Sequence, residues 1–585
     1  VSQFRSPLAT LVALLLALWC VGMFGRGYWT PDEPREADIA WRMSWQRDLA
    51  VPLLAGEAFC EKPPLTYWLS AVPIKLFGPQ AWAARLPNLL YAVITALSIG
   101  ALATRCAGRL AGGVAAAAMA TLLLSYQTAI WLATDAPLLA AVSVALLGAY
   151  RGYHATHRAE RLRGYLLMHA ALGVGFLCKS AAAWMVPALT LLTLSLWERR
   201  LRELMRWELY LGLLLQAALI LTWVGFVYAG PEGAAHLKIF FWNNLVGRFT
   251  EGYAPAELQY AAAHRNTPGK YLIELPVYLF PWTLLVAAAV RRAWRARDSR
   301  ADDFRAVRFG TAIFLPSLAV LSIAATARNI YLAPALPGVA LLLAWWVKTT
   351  LGAPDAWDAH ALRGTAALLL ISAILGAAGV GLAGFDGWAT MSSRASYLFI
   401  AFVGLGTSVS FALRAWGAAR TRPLEGHWSL LVAYVALLTL PASQLYAQVD
   451  QWQDLRLLGQ VVAADTDGKP LILLEPDETT RAFVDMYASP RATLATTPAA
   501  AAAAAVAQHG FILVQLPGRA GPRQTRLAAL HLSPPNESMA EQLPWLAASP
   551  LQIVSTPSLP NGRRYALLEP SPSLEVRPSL ETGPH

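Results

Sequence analysis

Charge is what this chain has little of. Asp, Glu, Lys and Arg make up 14% of its 585 residues, while 56% are hydrophobic and the mean hydropathy is +0.43. So little polar surface excludes an ordinary soluble enzyme and fits a polytopic helical membrane protein. Cysteine is also sparse: Cys20, Cys60, Cys106 and Cys178 are scattered without metal-ligand spacing, so neither a disulfide framework nor a cysteine metal site is implied. A small-residue cleavage site after the first apolar run is missing too, and that run is expected to be a retained span. The net charge of +11 does not point to nucleic acid, because the basic residues gather in short loops between apolar runs. Gly379-Val380-Gly381-Leu382-Ala383-Gly384 has nucleotide-loop spacing, but it lies inside an apolar run and reads as a small-residue packing face.

What is present is a series of apolar runs near the roughly 20 residues that span hydrocarbon. About thirteen are expected, at 7–24, 85–103, 111–127, 133–150, 165–179, 181–197, 207–229, 271–290, 309–325, 330–347, 364–384, 396–413 and 428–446. Alternate loops hold the arginine clusters, among them Arg158, Arg161 and Arg163, then Arg199, Arg200 and Arg202, then Arg291, Arg292 and Arg295. The positive-inside rule makes those loops cytoplasmic. The loops 25–84 and 230–270 and everything after 447 then fall on the opposite, periplasmic side.

The longest polar interval in the N-terminal half, 28–69, is the first of these loops. Thr30-Pro31-Asp32-Glu33 reads as a helix start, with Thr30 capping, Pro31 in the first helical position and Glu33 closing a capping box. Ala37, Trp41 and Trp45 follow at four-residue spacing, which suggests an amphipathic helix in the membrane interface. Capping alone accounts for the acids. Acids held at a membrane surface, with Lys62 in the knot Cys60-Glu61-Lys62-Pro63-Pro64, equally suit chemistry on a phosphorylated lipid.

After 447 the composition changes. The runs 470–475, 511–516 and 564–569 read as buried strands, and the alanine run 499–505 as a helix between two of them. A small α/β domain over 448–569 is expected, followed by a Pro- and Ser-rich tail, 570–585, of disordered composition. Its expected role is accessory.

Candidate chemistry clusters on the outer side: Asp32, Glu33 and Arg35; Glu61 and Lys62; Asp135, in Thr134-Asp135-Ala136-Pro137; His264, Arg265 and Lys270; and Arg328-Asn329-Ile330-Tyr331. An ionisable group at membrane depth costs about 2.5 to 3.5 kcal/mol on insertion scales, which makes such groups functional candidates. Near a span end that penalty is small, and Asp135 is equally a hydrated cap. His154 and His157 fall on the cytoplasmic side and read as solvated.

The ordered set TPDEPREADIAWRM, FCEKPPLTYWL, ATDAPL, HRNTPGKYLIELPVYLFPW and ARNIYLAPALP resembles the bacterial aminoarabinose transferases, a group related to protein O-mannosyltransferases. The resemblance implies a GT-C glycosyltransferase fold and transfer of a sugar from a polyprenyl phosphate at the periplasmic face of the inner membrane. In the most similar members the sugar is 4-amino-4-deoxy-L-arabinose, the carrier undecaprenyl phosphate and the acceptor lipid A. It further implies Asp32 as the catalytic acid, with Asp135 supporting it and Glu33 beside it. Lys62 matches a phosphate-binding position, and Arg35, Arg265, Arg328 and Tyr331 are candidates to hold the donor phosphate. Glu61 and His264 match positions associated with a divalent metal, zinc being favoured, although two such ligands are half a zinc site. Glu36 and Phe59 stand where the aminoarabinose enzymes commonly carry tyrosines, and Arg328 where a lysine is frequent. A monomer in contact with membrane lipid, donor and a lipid, glycan or protein acceptor is expected.

In a polyprenyl phosphosugar the leaving group is a stable phosphate, so cleavage needs fixed positive charge and no proton donor. A hydroxyl acceptor would need a general base, for which Asp32 is the candidate; an anionic phosphate acceptor would not. Two alternatives stand beside aminoarabinose transfer: a related enzyme that glycosylates protein Ser or Thr, and a lipid-phosphate transporter or flippase. The transporter would need polar residues continuing across the bilayer and internal repeats, and the polar clusters crowd one face.

Overall fold

The structure, a computed structural model, describes residues 5–246, 267, 269–297, 304–324, 328–352, 354–385, 391–439, 446, 449–450, 453, 455–489, 492–516, 543–546, 549–559 and 562–571. Two compact units divide the chain: Val1–Gly25, Met43–Pro52 and Ala58–Tyr446 form the first, and Arg26–Arg42, Leu53–Glu57 and Ala447–His585 the second.

The apolar segments described in the first unit are helical, because in hydrocarbon only an element that satisfies its own backbone is stable. Its apolar runs form Arg5–Met23, Ala81–Ala107, Asp135–Tyr153, Arg158–Lys179, Ala182–Trp197, Trp207–Ala229, Arg305–Ile323, Leu336–Gly352, Ala356–Phe385, Met391–Ala418 and Pro423–Thr439. Two further runs are bent pairs, Arg109–Thr121 with Leu123–Ile130 at 65°, and Lys270–Tyr278 with Thr283–Arg295 at 110°. Among the described residues seven helices are long and apolar enough to cross a membrane, or up to nine if each bent pair is one span. The expectation of about thirteen also counted four others: the first helix, apolar but short over Ala9–Met23; Ala182–Trp197 and Pro423–Thr439, with 16 and 17 residues; and Arg158–Lys179, which carries charge in its first two turns.

Where the bent pairs break, the backbone groups that leave the helix find each other. The Leu123 amide donates to the Phe280 carbonyl at 2.9 Å, and the Trp282 indole N–H donates to Thr121 Oγ1 at 2.9 Å. Non-helical backbone is tolerated at membrane depth when protein groups pair it in this way.

Asp135–Tyr153 and Arg158–Lys179 form an antiparallel hairpin whose backbones nearly touch. A Cβ on Gly164 would lie 2.3 Å from the Gly152 nitrogen, and one on Gly148 would lie 2.6 Å from the Met168 nitrogen. The small residues permit the close crossing, and the hairpin brings Asp135 at its beginning level with Lys179 at its end. In the connecting turn His154 is not simply solvated: Tyr150 and Tyr153 pack against it, with ring centroids at 4.5 and 5.0 Å, while His157 is exposed.

The second unit contains a five-stranded sheet in the order Thr493–Ala495, Leu471–Leu474, Phe511–Leu516, Arg564–Pro570, Leu551–Ser555. The first three strands are parallel and the last two join antiparallel. Side chains alternate between faces along each strand. Leu471, Leu473, Leu513 and Leu567 pack with Val462, Phe483 and Val484 on one face, while Ile472, Ile512, Val514 and Leu568 meet Ala501 and Ala505 on the other. Both faces are covered, so the strands read in sequence as unbroken apolar runs. The alanine run lies within the helix Pro498–Gln508, where Thr497 accepts a hydrogen bond from the Ala500 amide at 3.2 Å. Of the tail, 572–585 lies outside the described residues.

The first-loop helix, Asp32–Met43, belongs to this second unit, and most of its charged residues are buried in protein instead of facing solvent. It ends before Trp45, so the expected aromatic stripe is broken. Glu33, Arg35, Glu36, Asp38 and Arg42 are buried together with Ala37, Ile39 and Ala40, because C-terminal residues cover and pair the charged face.

Gly164→Val would force the two helices of the hairpin apart. Overpacking of this kind costs about 1 to 3 kcal/mol, and thermal unfolding of the purified variant in detergent is expected to show that loss.

Candidate functional site

In the first unit, Asp135 stands in the first turn of its helix with its side chain buried, and Lys179 Nζ lies 2.5 Å from its Oδ1. The ammonium also sits 4.6 Å from the centroid of the Tyr331 ring, on the seven-residue 3-10 segment Asn329–Ala335 that precedes the helix Leu336–Gly352. Arg328 begins this segment, and its carbonyl accepts a hydrogen bond from the buried Tyr271 hydroxyl at 2.5 Å. Asp135 and Tyr331 are thus brought together around Lys179, which was not among the sequence candidates. Its signal was present: a lysine at the end of the expected span 165–179, an ionisable residue closing an otherwise apolar run.

The knot at Cys60–Pro64 belongs to the same unit. Phe59, Cys60 and Lys62 line a shallow cleft with Trp223, Val227 and Phe240. Lys62 Nζ lies 6.0 Å from the Phe59 ring centroid, at the edge of cation–π range. Burial pushes the Cys60 thiol up to about 11, which keeps it in the unreactive thiol form near neutral pH.

In the second unit the first-loop acids have distinct settings. Glu33 does not close a box with Thr30. Its carboxylate accepts the Trp29 amide at 2.8 Å and pairs with Arg26 at 2.7 and 3.1 Å, so the structure gives it the job of fixing the loop. The Thr30 hydroxyl instead bonds to Gln453 Oε1 at 2.5 Å. Arg35, a candidate for donor phosphate, faces three carboxylates: Asp32 Oδ1 at 3.4 Å, Glu36 Oε1 at 2.9 Å, and Glu478 Oε2 in a shorter contact. Asp32 keeps a partly exposed carboxylate, 15% accessible, the most open of the three loop carboxylates around Arg26 and Arg35.

His264 and Arg265 lie outside the described residues. Glu61 is part of the knot in the first unit, and among the described residues no group of three or more His, Cys, Asp or Glu side chains could hold a metal ion. Zinc takes three or four protein ligands. The described residues do not furnish that donor set.

The helical bundle has the GT-C fold. The crystal structure of ArnT from Cupriavidus metallidurans bound to undecaprenyl phosphate superposes with a TM-score of 0.68 and 17% sequence identity, covering 97% of this chain and 98% of that one. The family model described as dolichyl-phosphate-mannose-protein mannosyltransferase matches residues 61–226, a stretch containing Glu61, Lys62, Asp135 and Lys179. Two similar proteins carry the name undecaprenyl phosphate-alpha-4-amino-4-deoxy-L-arabinose arabinosyl transferase. The one from Pseudomonas paraeruginosa is 28% identical over 452 residues, 75% of this chain and 76% of its own length. The one from Pseudomonas aeruginosa strain PAO1 is 29% identical over 456 residues, again 75% and 76%. Over three-quarters of its length the chain is similar to these arabinosyl transferases, and it shares the fold of the ArnT structure.

Two measurements probe these settings. Lys179→Met leaves a buried carboxylate without its ammonium, which costs about 3 to 5 kcal/mol; adding Asp135→Leu is expected to recover most of it in thermal unfolding. Asp38 sits buried beside Asp485, with the Ala55 amide on its Oδ2 at 2.7 Å, and burial first, then Asp485, holds its carboxyl well above the ordinary range. A raised pKa means that the fold favours the protonated acid. The contribution is full below the unfolded value of about 3.9 and is lost as pH rises through the folded value. Asp38→Asn is therefore expected to flatten the decline in stability as pH is raised from about 4 towards 8, measured by denaturation at each pH.

Proposed function

We propose that the chain transfers 4-amino-4-deoxy-L-arabinose, or a closely related sugar, from undecaprenyl phosphate to a phosphate of lipid A, in one inverting displacement. The observation that carries this reading is the extent of the similarity: relatives named as arabinosyl transferases of that donor match across three-quarters of both chains. The reading places the protein in the bacterial inner membrane with thirteen spans, each bent pair counting as one and the shorter apolar helices crossing as well, and with the chemistry on the periplasmic side.

The leaving phosphate needs charge stabilisation, supplied in this reading by Lys62 with Arg265 and Arg328. Fixed cations act strongly there because little water competes with them. A lipid A phosphate oxygen is already anionic near neutral pH, so Asp32 need not remove a proton and instead binds the ammonium of the aminosugar. Asp135, paired with Lys179, fixes the position of that lysine and of Tyr331.

The match of 61–226 to protein mannosyltransferases supports one competing reading, transfer to a protein hydroxyl, in which Asp32 is a general base. Mass spectrometry of lipid A and of glycoproteins, from cells with and without the protein, separates the two. Loss of a pentosamine from lipid A is the expected result; loss of a hexose from protein would replace it with the competing reading. With purified protein, Asp32→Asn is expected to lower transfer by about 10- to 100-fold, the worth of one charged hydrogen bond. A larger loss that tracks pH would instead mark a base. Lys62→Ala is expected to weaken donor binding.

A further inference from the structure

The first-loop helix and the helix Glu478–Tyr487 are joined by two ion pairs with matched spacing. Arg35 pairs with Glu478 and Arg42 with Asp485, so the partners are seven positions apart on each helix, about two turns. Spacing in step on both sides means that the helices run parallel and in a single register. A shift of one turn would break both pairs and leave buried charges facing nothing.

Further contacts lock the ends. The Thr479 hydroxyl donates to the Pro31 carbonyl at 2.9 Å, and Arg481 donates to the Leu54 carbonyl at 3.2 Å. Asp450 Oδ1 accepts from the Gly27 amide at 2.6 Å and the Trp29 indole at 2.9 Å. The Glu478 helix is itself anchored to the sheet. Its capping residue Asp477 accepts the Thr480 amide at 2.7 Å and pairs with Arg563 at 2.7 Å, while the Tyr565 hydroxyl, on a sheet strand, meets Thr480 at 2.9 Å and Arg563 at 2.7 Å. Burial alone would raise the Asp477 carboxyl, but Arg563 and Thr480 hold it below the usual range, so the cap stays ionised.

We propose that Glu478 and Asp485 are positioning residues for the transfer reaction: through Arg35 and Arg42 they set the rotation and register of the helix that carries Asp32. The C-terminal α/β unit thereby acts as a template for the first loop. Glu478 has the more direct influence, because Arg35 is shared between it and Asp32, and losing Glu478 turns the guanidinium toward Asp32 and Glu36.

This inference rests on the reading in which Asp32 acts in transfer, and its test has an arm that does not depend on activity. Full-length wild type, Glu478→Gln and Glu478→Gln with Asp485→Asn, each in lipid nanodiscs, are compared by amide hydrogen exchange and by transfer from undecaprenyl phosphate-linked aminoarabinose. Exchange over 32–43 is expected to rise about tenfold in the double variant while the helix Ala81–Ala107 keeps its protection, since local opening reports the stability of the segment. In the single variant kcat is expected to fall about tenfold with KM for the donor changed less than twofold. Unchanged exchange over 32–43 overturns the template, and loosened exchange with unaltered kcat overturns the link to Asp32. If the double variant unfolds throughout, the single variant carries both measurements. Absence of transfer by the wild type with this donor defeats the functional reading, while the exchange arm still decides the template.

Discussion

A backbone amide in hydrocarbon has no water to bond to, and the first unit is arranged around that fact. Continuous helices satisfy it over most of the chain. The informative places are the exceptions, where the two bent pairs turn their loose amide, carbonyl and hydroxyl groups toward one another at Leu123, Phe280, Thr121 and Trp282. Close glycine crossings serve the same end by letting dispersion hold helices together when lipid offers no hydrophobic drive. One result is chemical. The tight hairpin sets a carboxylate and an ammonium side by side at its open end, so that two groups too costly to bury singly are buried as a pair.

In the second unit it is the matching of charges, more than the pairing of backbone groups, that decides the arrangement. Arg26, Arg35 and Arg42 lie along one short stretch and each meets at least one carboxylate. Buried pairs of this sort add little net stability over apolar packing, since desolvation offsets most of the Coulomb gain. Their use is discrimination: only one rotation and one register leaves every charge matched. For an acid that must present one oxygen to a substrate, angular definition of that kind is worth more than extra stability.

The sequence made some of this legible and hid the rest for physical reasons. Apolar runs of the right length marked the helices, and unbroken apolar runs after 470 marked strands covered on both faces. Asp135 stood out as a carboxylate at the start of an apolar run, where a hydrated cap reads equally well. Lys179 was hidden at the end of one expected span, just before the next. The capping role of Glu33 was half visible: the glutamate does reach back, but to the amide of Trp29 with Arg26 beside it, while Thr30 turns to Gln453. The environment of Arg35 could be read only in part: Asp32 and Glu36 are sequence neighbours, but its third carboxylate, Glu478, lies 443 positions further on, and no local period carries information across that distance.

That same distance has a consequence for how the protein is made. The segment Arg26–Arg42 leaves the ribosome early, but the residues that complete its unit come only after the whole helical bundle. At about 5 to 20 residues per second, synthesis of the intervening 443 positions takes roughly 20 to 90 s. Throughout that interval Arg35 and Arg42 wait without their carboxylate partners from the far end. Assembly of the second unit is therefore post-insertional by construction, and a ribosome that stalls in the last quarter of the message leaves a membrane domain whose first loop has nothing to fold against.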